Sequence, residues 1–407
     1  MTAIQSLAAL TGELRLTPGA PLPGNLASTR PALAPRLSPG RSASELPALL
    51  AALFSLCGEA HRLCAQLAIA AAAPELPPPA MPALSERLRR ETALEHVRRI
   101  GLDWPRLLDA SAAQAAAESL RRCPLSSRRG GDGDDWLALR GWIASDLLRF
   151  PGDAWLAAWD AQGAAWLRDW SQRGDGWLAA MLRLAREADD PTPVAPTLAL
   201  RPPAPDTADE WRQFGAALEA TPQLALQPRW RGVCAHTGSW SRRRNPANPP
   251  PLTAWATLGA RIAELIRLSQ PAQSEATATT PLLLGGRDDH IQTAGAATPA
   301  GQGAALLSCG ALATGPRRGL AWVEMARGLL LHQVTVDGAG EAATVRACQV
   351  VAPSEWNFHP EGVVAQALAR LPPACPADEA LRRVHLLIAA FDPCLPFTVA
   401  RAEASHA

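Results

Sequence analysis

The sequence predicts an α+β protein, predominantly α-helical, with a small β element near its C-terminal end. Two observations predict this class. Several long stretches carry apolar residues at helical spacing, which places them on one helix face. From Leu320 the pattern changes: "LAWVEMARGLLLHQVTVDGAGEAATVRACQVVAP" alternates apolar and polar residues around "DGAGE", a hairpin signal. The 407 residues are 48% hydrophobic, enough to pack one large domain or two to three ordinary ones, and show no internal repeat.

Taken in order, residues 1–44 read as an irregular entry, with Pro, Gly and Ser concentrated in 17–44. "SASELPALLAALFSLCGEAHRLCAQLAIAAAA" reads as one or two helices. Ser42 or Ser44 supplies an oxygen for exposed N–H groups at its start, and Pro74 with the prolines at 77–79 ends it. "ALSERLRRETALEHVRRIGLDWPRLLDA" is a second helical pattern, with Leu84, Leu88, Leu94, Val97 and Ile100 near helical spacing and Pro105 breaking or restarting it. Glu91 and His96, within it, read as a solvated face in preference to a buried polar feature. Mobile loops are expected at 124–135, 189–208 and 270–302, which are polar, Pro-rich or built of small residues. Between the first two, Trp136, Trp142, Trp155, Trp159, Trp166, Trp170 and Trp177 read as core anchors on helices. Residues 252–268 read as an amphipathic helix, and 362–371 and 376–390 return to helix.

Composition excludes several function classes. Thirty-nine basic residues against 38 acidic leave a formal charge of +1, which offers nothing to nucleic acid or an anionic membrane. The longest apolar region, 47–73, is interrupted by Glu59, His61, Arg62 and Gln66, so membrane insertion is not expected. The N-terminal residues lack the basic start and apolar core of a signal peptide. Eight cysteines in so long a chain are not a disulfide framework. A cytoplasmic protein whose thiols are free or metal-bound is the expectation.

Four stretches carry chemistry. In "LFSLCGEAHRLC", Cys57, His61 and Cys64 fall at i, i+4 and i+7, a set that on a continuous helix suits zinc, nickel or iron, or else marks two buried cysteines in a packed helix. In "FDPCLPF", Asp392 and Pro393 form a turn that presents Cys394. "VEMARGLLLHQVTV" holds Glu324, Arg327 and His332, and an arginine there serves an anionic ligand or simply the surface. "VVAPSEWNFHPEG" holds Pro353 and Ser354, the latter a turn residue or a hydrogen-bond donor to a site.

In this order the stretches resemble the large subunit of nickel–iron hydrogenases. That family carries R-x-C-G-x-C, E-x-P-R-G, V-x-P-[ST]-x-W-N and D-P-C-x-x-C segments; here stand "FSLCGEA", "EMARG", "VAPSEWN" and "DPCLPF". "WRGVCAHTGSWSR" resembles a further W-x-G-x-x-x-E-T-G segment, with His236 in place of the acid. The resemblance implies the family's fold, as a single domain over residues 1–407. It also implies that Cys57 and Cys394 are the first cysteines of two pairs whose second, metal-bridging members are replaced by Ala60 and Phe397. No complete NiFe centre is then expected, and no hydrogen turnover. Cys57 and Cys394, with His61 or Cys64 as extra donors, would hold an Fe(CN)2CO unit, bound transiently. Arg327, Ser354 and Pro353 match family positions that surround the cyanides; Ala326 replaces the proline before the arginine. With "STRPALAPRLSPGRSASELPALLAALFSLCG" and "RETALEHVRRIGLDWP", the chain resembles the HupK/HoxV group of hydrogenase maturation proteins in particular. That implies a non-catalytic scaffold, partnered by the accessory proteins of iron-cofactor assembly and by the hydrogenase large subunit. A metal-free protein-binding chaperone, or a zinc protein using Cys57, His61 and Cys64, are the alternatives.

Overall fold

The computed structural model describes residues 12–77, 79–126, 134–188, 198–242, 252–271, 282–284, 306–372 and 375–400. These residues form β1 (Leu14–Leu16), β2 (Leu26–Ser28), β3 (Leu198–Ala199), β4 (Ala235–His236), β5 (Leu282–Leu284), β6 (Cys309–Gly315), β7 (Arg318–Met325), β8 (Gly328–Asp337), β9 (Thr344–Val351) and β10 (Phe397–Val399), set among many helices. The main sheet runs β5-β6-β7-β8-β9, antiparallel except for β5, which lies parallel to β6. The expected hairpin is β8–β9, closed through Gly338 and Gly340, both at positive φ.

This sheet is covered on both faces, because alternate side chains of a strand point to opposite sides. Ala321, Val323, Leu330 and Val334 face the larger core, which contains Leu63, Cys64, Leu67 and Ala68 of the helix Gly58–Ala72. Leu320, Trp322, Leu329 and Leu331 face a second core with Trp211, Phe214, Trp230 and Trp356. The helix Gly58–Ala72 lies across β6, β7 and β8. Its alanines permit a very close approach: a Cβ at Gly319 of β7 would stand 2.1 Å from the Ala68 carbonyl oxygen.

The Trp-rich region is helical, and its rings anchor the larger core: Trp142, Trp155 and Trp170 are buried in it, and Trp136, Trp159, Trp166 and Trp177 pack against it. The helix Ala254–Ser269 differs from the amphipathic expectation, being buried on nearly every side, Arg261 and Glu264 included. Their charges are tolerated because both are paired. The entry segment is less irregular than expected, since β1, β2 and a short helix, Leu33–Leu37, lie within it. Of the expected mobile loops, Pro124–Ser126 is a 3-10 turn and Asp134–Trp142 a helix; β3 and the turn Pro205–Thr207 fall in the second, and β5 in the third. Residues 1–11, 127–133, 189–197, 272–281 and 285–305 lie outside the described residues. Among the described residues no single helix is long and apolar enough to cross a membrane. The pair Leu46–Leu53 and Ser55–Ala72 reaches that length and composition only together, across a 107° bend.

Candidate metal centre

Cys57 sits where two helices meet. Leu46–Leu53 ends, Ser55–Cys57 makes one 3-10 turn, and the helix Gly58–Ala72 begins immediately after the thiol. A Cβ at Gly58 would meet the Ala51 carbonyl oxygen at 3.0 Å, so the tight junction suits glycine. The first N–H groups of a helix have no acceptor within it. Here the Glu91 carboxylate accepts from Glu59 N and Ala60 N at 2.9 and 3.0 Å. Glu91 is therefore not on a solvated face; it caps the helix that carries Cys57, and burial pushes its carboxyl up to about 7.

Cys394 follows the helix Ala377–Phe391. That helix ends on Asp392, whose positive φ of 53° turns the chain out of it. The Asp392 carboxylate is buried and meets three guanidinium groups, Arg99 at 3.0 Å, Arg261 at 3.3 Å and Arg327 at 3.4 Å. Burial alone would raise its pKa, but these cations outweigh it and hold the carboxyl below its ordinary range. Arg261 also donates to the Ala390 carbonyl at 3.1 Å. The turn that presents Cys394 is thus locked from behind.

Arg327 lies in the turn between β7 and β8 and is buried. Its Nη2 donates to the Glu95 carboxylate, and its Nη1 has no hydrogen-bond partner among the described residues. Its positive charge acts on both Cys57 and Cys394, and the two thiols act on each other. Cys57 and Cys394, far apart in the sequence, are thus coupled electrostatically to one guanidinium. Burial pushes the Cys57 thiol up to about 12, against the opposing pull of Arg327. Ser354, second residue of the short helix Pro353–Asn357, places its Oγ 3.2 Å from Cys394 Sγ; Pro353 before it is buried.

The structure also supplies a residue the sequence reading missed. Arg30, just after β2, donates from Nη1 to Ser354 Oγ at 2.8 Å and to Glu355 Oε1 at 2.9 Å, and it contacts Cys394. A single arginine in a Pro-rich entry segment carries no periodic signal that could have marked it.

His61 and Cys64 do not join Cys57 in a ligand set. Cys57 precedes the helix, so the i, i+4, i+7 face does not exist. His61 stacks on Phe54 with ring centroids 4.1 Å apart, and its Nδ1 lies 3.0 Å from His332 Nε2. Burial, His332 and Arg30 keep His61 well below the usual imidazole range. Cys64, fully buried, donates toward the Ala321 and Leu330 carbonyls. Among the described residues no group of three or more His, Cys, Asp or Glu side chains converges. His96 is likewise core rather than solvated face: its Nε2 meets Glu264 at 2.7 Å, and Ser239 and Arg242 bind the same carboxylate. Ala60 is fully buried, and Phe397, on β10, sets its ring edge-on to His385 at 6.1 Å.

No protein-family model matches the chain. It is 36% identical over 406 residues to the hydrogenase expression/formation protein HoxV of Cupriavidus necator, covering 97% of each. It is 30% identical over 387 residues to HupK of Rhizobium leguminosarum bv. viciae, covering 93% of each, and 29% identical over 403 residues to HupK of Bradyrhizobium diazoefficiens, covering 93% and 92%. Among solved structures, a [NiFeSe] hydrogenase G491S variant from Desulfovibrio vulgaris Hildenborough matches with a TM-score of 0.51 at 13% identity, over 91% of this chain and 92% of that one. That likeness shows a shared fold of the hydrogenase large-subunit type. Full-length similarity to HoxV and HupK shows that the chain belongs to the HoxV/HupK family of hydrogenase expression/formation proteins.

Proposed function

We propose that this protein is a non-catalytic scaffold of hydrogenase maturation, which holds an Fe(CN)2CO unit and relays it toward the hydrogenase large subunit. The relatives' names support the maturation role. The cargo is argued from the site. The observation that carries it is that Cys57 and Cys394 both act electrostatically on the buried Arg327 guanidinium, whose Nη1 has no acceptor among the described residues. Two thiolates are too few for a four-thiolate nickel site. They suit an iron that brings most of its own ligands. Cyanide nitrogens accept hydrogen bonds, and Arg327 Nη1 and the Ser354 hydroxyl are donors that do not compete as metal ligands.

Loading exchanges each S–H bond for an S–Fe bond and releases one proton per thiol. Burial raises the Cys57 thiol, and on this reading proton competition for the sulfur favours release of the cargo. A carrier that must give up its cargo benefits from few protein ligands and strong proton competition. The direct partners on this reading are the iron-cofactor accessory proteins and the large subunit, in the cytoplasm. Anaerobic protein co-expressed with the iron-cofactor machinery should contain iron and show cyanide and carbonyl infrared bands; absence of both contradicts the reading.

The same high thiol pKa also favours a second reading, a metal-free chaperone that binds other assembly factors. On that reading Cys57→Ser and Cys394→Ser proteins still support maturation of an active hydrogenase. On the first reading they do not.

A further inference from the structure

We propose that Arg30 is the second cation of the thiol site, and that it selects an anionic cargo over a bare metal ion. This inference rests on the cargo reading above. The three-stranded sheet β10-β1-β2 brings Arg30 to the site. β1 pairs in parallel with β10, just after Cys394, and antiparallel with β2, just before Arg30. Leu14 N donates to the Pro396 carbonyl at 2.9 Å and Thr29 N to the Glu13 carbonyl at 3.0 Å, so the thiol loop and the arginine share one backbone frame. At Gly12, with φ of +80°, a Cβ would stand 2.7 Å from the Arg30 backbone, so the strands close tightly behind the side chain.

The two cations are held differently. Arg327 is enclosed between two carboxylates, Glu95 and Asp392. Arg30 forms its ion pair with Glu355 while its guanidinium stays against Ser354 and Cys394. An iron(II) carrying two cyanides and two thiolates is dianionic overall. A neighbouring guanidinium stabilises that charge and donates charge-assisted hydrogen bonds to the thiolate or cyanide. The same guanidinium repels an incoming bare divalent cation. Arg30 is thus a positioning and selecting residue.

The test uses the full chain as wild type, Arg30→Gln and Arg30→Lys, checked for equal thermal midpoints. Each is loaded by co-expression and assayed for iron and infrared bands; each is also titrated unloaded with Cd²⁺, followed by thiolate-to-metal absorption. Arg30→Gln should lower iron loading by about tenfold, roughly the loss of one charged hydrogen bond. Arg30→Lys should recover part of the loading with displaced cyanide bands. Cd²⁺ affinity should stay level or rise in both. Wild-type loading with unmoved bands in both variants overturns the role of Arg30 alone. So does an equal loss of iron loading and Cd²⁺ affinity, which marks a merely structural arginine. Absence of bands in wild type as well overturns the cargo reading, and this inference with it.

Discussion

Asp392 is the residue on which the thiol loop turns. It ends a helix in the left-handed region, precedes the proline that stiffens the loop, and faces Arg99, Arg261 and Arg327 together. Removing one partner of a buried ion pair leaves charge without compensation, at a cost of about 3–5 kcal/mol. Asp392→Ala should therefore lower unfolding stability by about that amount in urea denaturation, and a change within experimental error would show that the cluster is not a lock. Glu91 offers a pH test. Its carboxyl is raised from 4.5 to about 7 in the folded protein, so the fold holds that proton more tightly than the unfolded chain does. Its contribution to stability is full below about pH 4.5 and is lost as pH rises through about 7. Glu91→Gln, which keeps one acceptor and no charge, should gain thermal midpoint relative to wild type over that window and hold a constant difference above it. A difference that does not vary with pH would contradict the burial of this group.

At the scale of elements, legibility followed length and partnership. The helix over 81–98 and the β8–β9 hairpin were readable because their periodicity spans many residues. β1, β2 and β10 were not, since three residues carry no period, yet they form the frame that joins Arg30 to Cys394. β6, "CGALATG", was missed because small residues give little alternation of polarity. Ala254–Ser269 was read as amphipathic because its charges imply a wet face, whereas Arg261 meets Asp392 and Glu264 meets Arg242 in the interior. The Cys57–His61–Cys64 pattern misled for a local reason: the helix starts at Gly58, which takes Cys57 out of phase with the other two. Cys57, Cys394, Arg327 and Ser354, by contrast, are singled out in the sequence by short segments whose order along the chain matches the resemblance. One element contact invites a direct test. The helix carrying Cys57 at its start rests on β7 at Gly319, where a Cβ would overlap the Ala68 carbonyl. Gly319→Ala should cost about 1–3 kcal/mol through overpacking and should disturb the Cys57 junction; unchanged stability in denaturant titration would mean that the helix yields freely.

For the whole molecule, the fold is of the hydrogenase large-subunit type, and it couples Cys57 and Cys394 electrostatically across the length of the sequence. Long-range closure of this kind is invisible to local pattern, because nothing near Cys57 in sequence announces Cys394. Two cations act on these thiols: the buried Arg327 on Cys57, and Arg30, which the N-terminal sheet delivers, on Cys394. The central claim is that the two thiols carry the iron unit. The most direct measurement is infrared spectroscopy with iron analysis on anaerobic protein co-expressed with the iron-cofactor machinery, for wild type, Cys57→Ala and Cys394→Ala. The account predicts cyanide and carbonyl bands with bound iron in wild type and sharp loss of both in each variant. Wild-type protein without bands, or both variants loaded as fully as wild type, would contradict it.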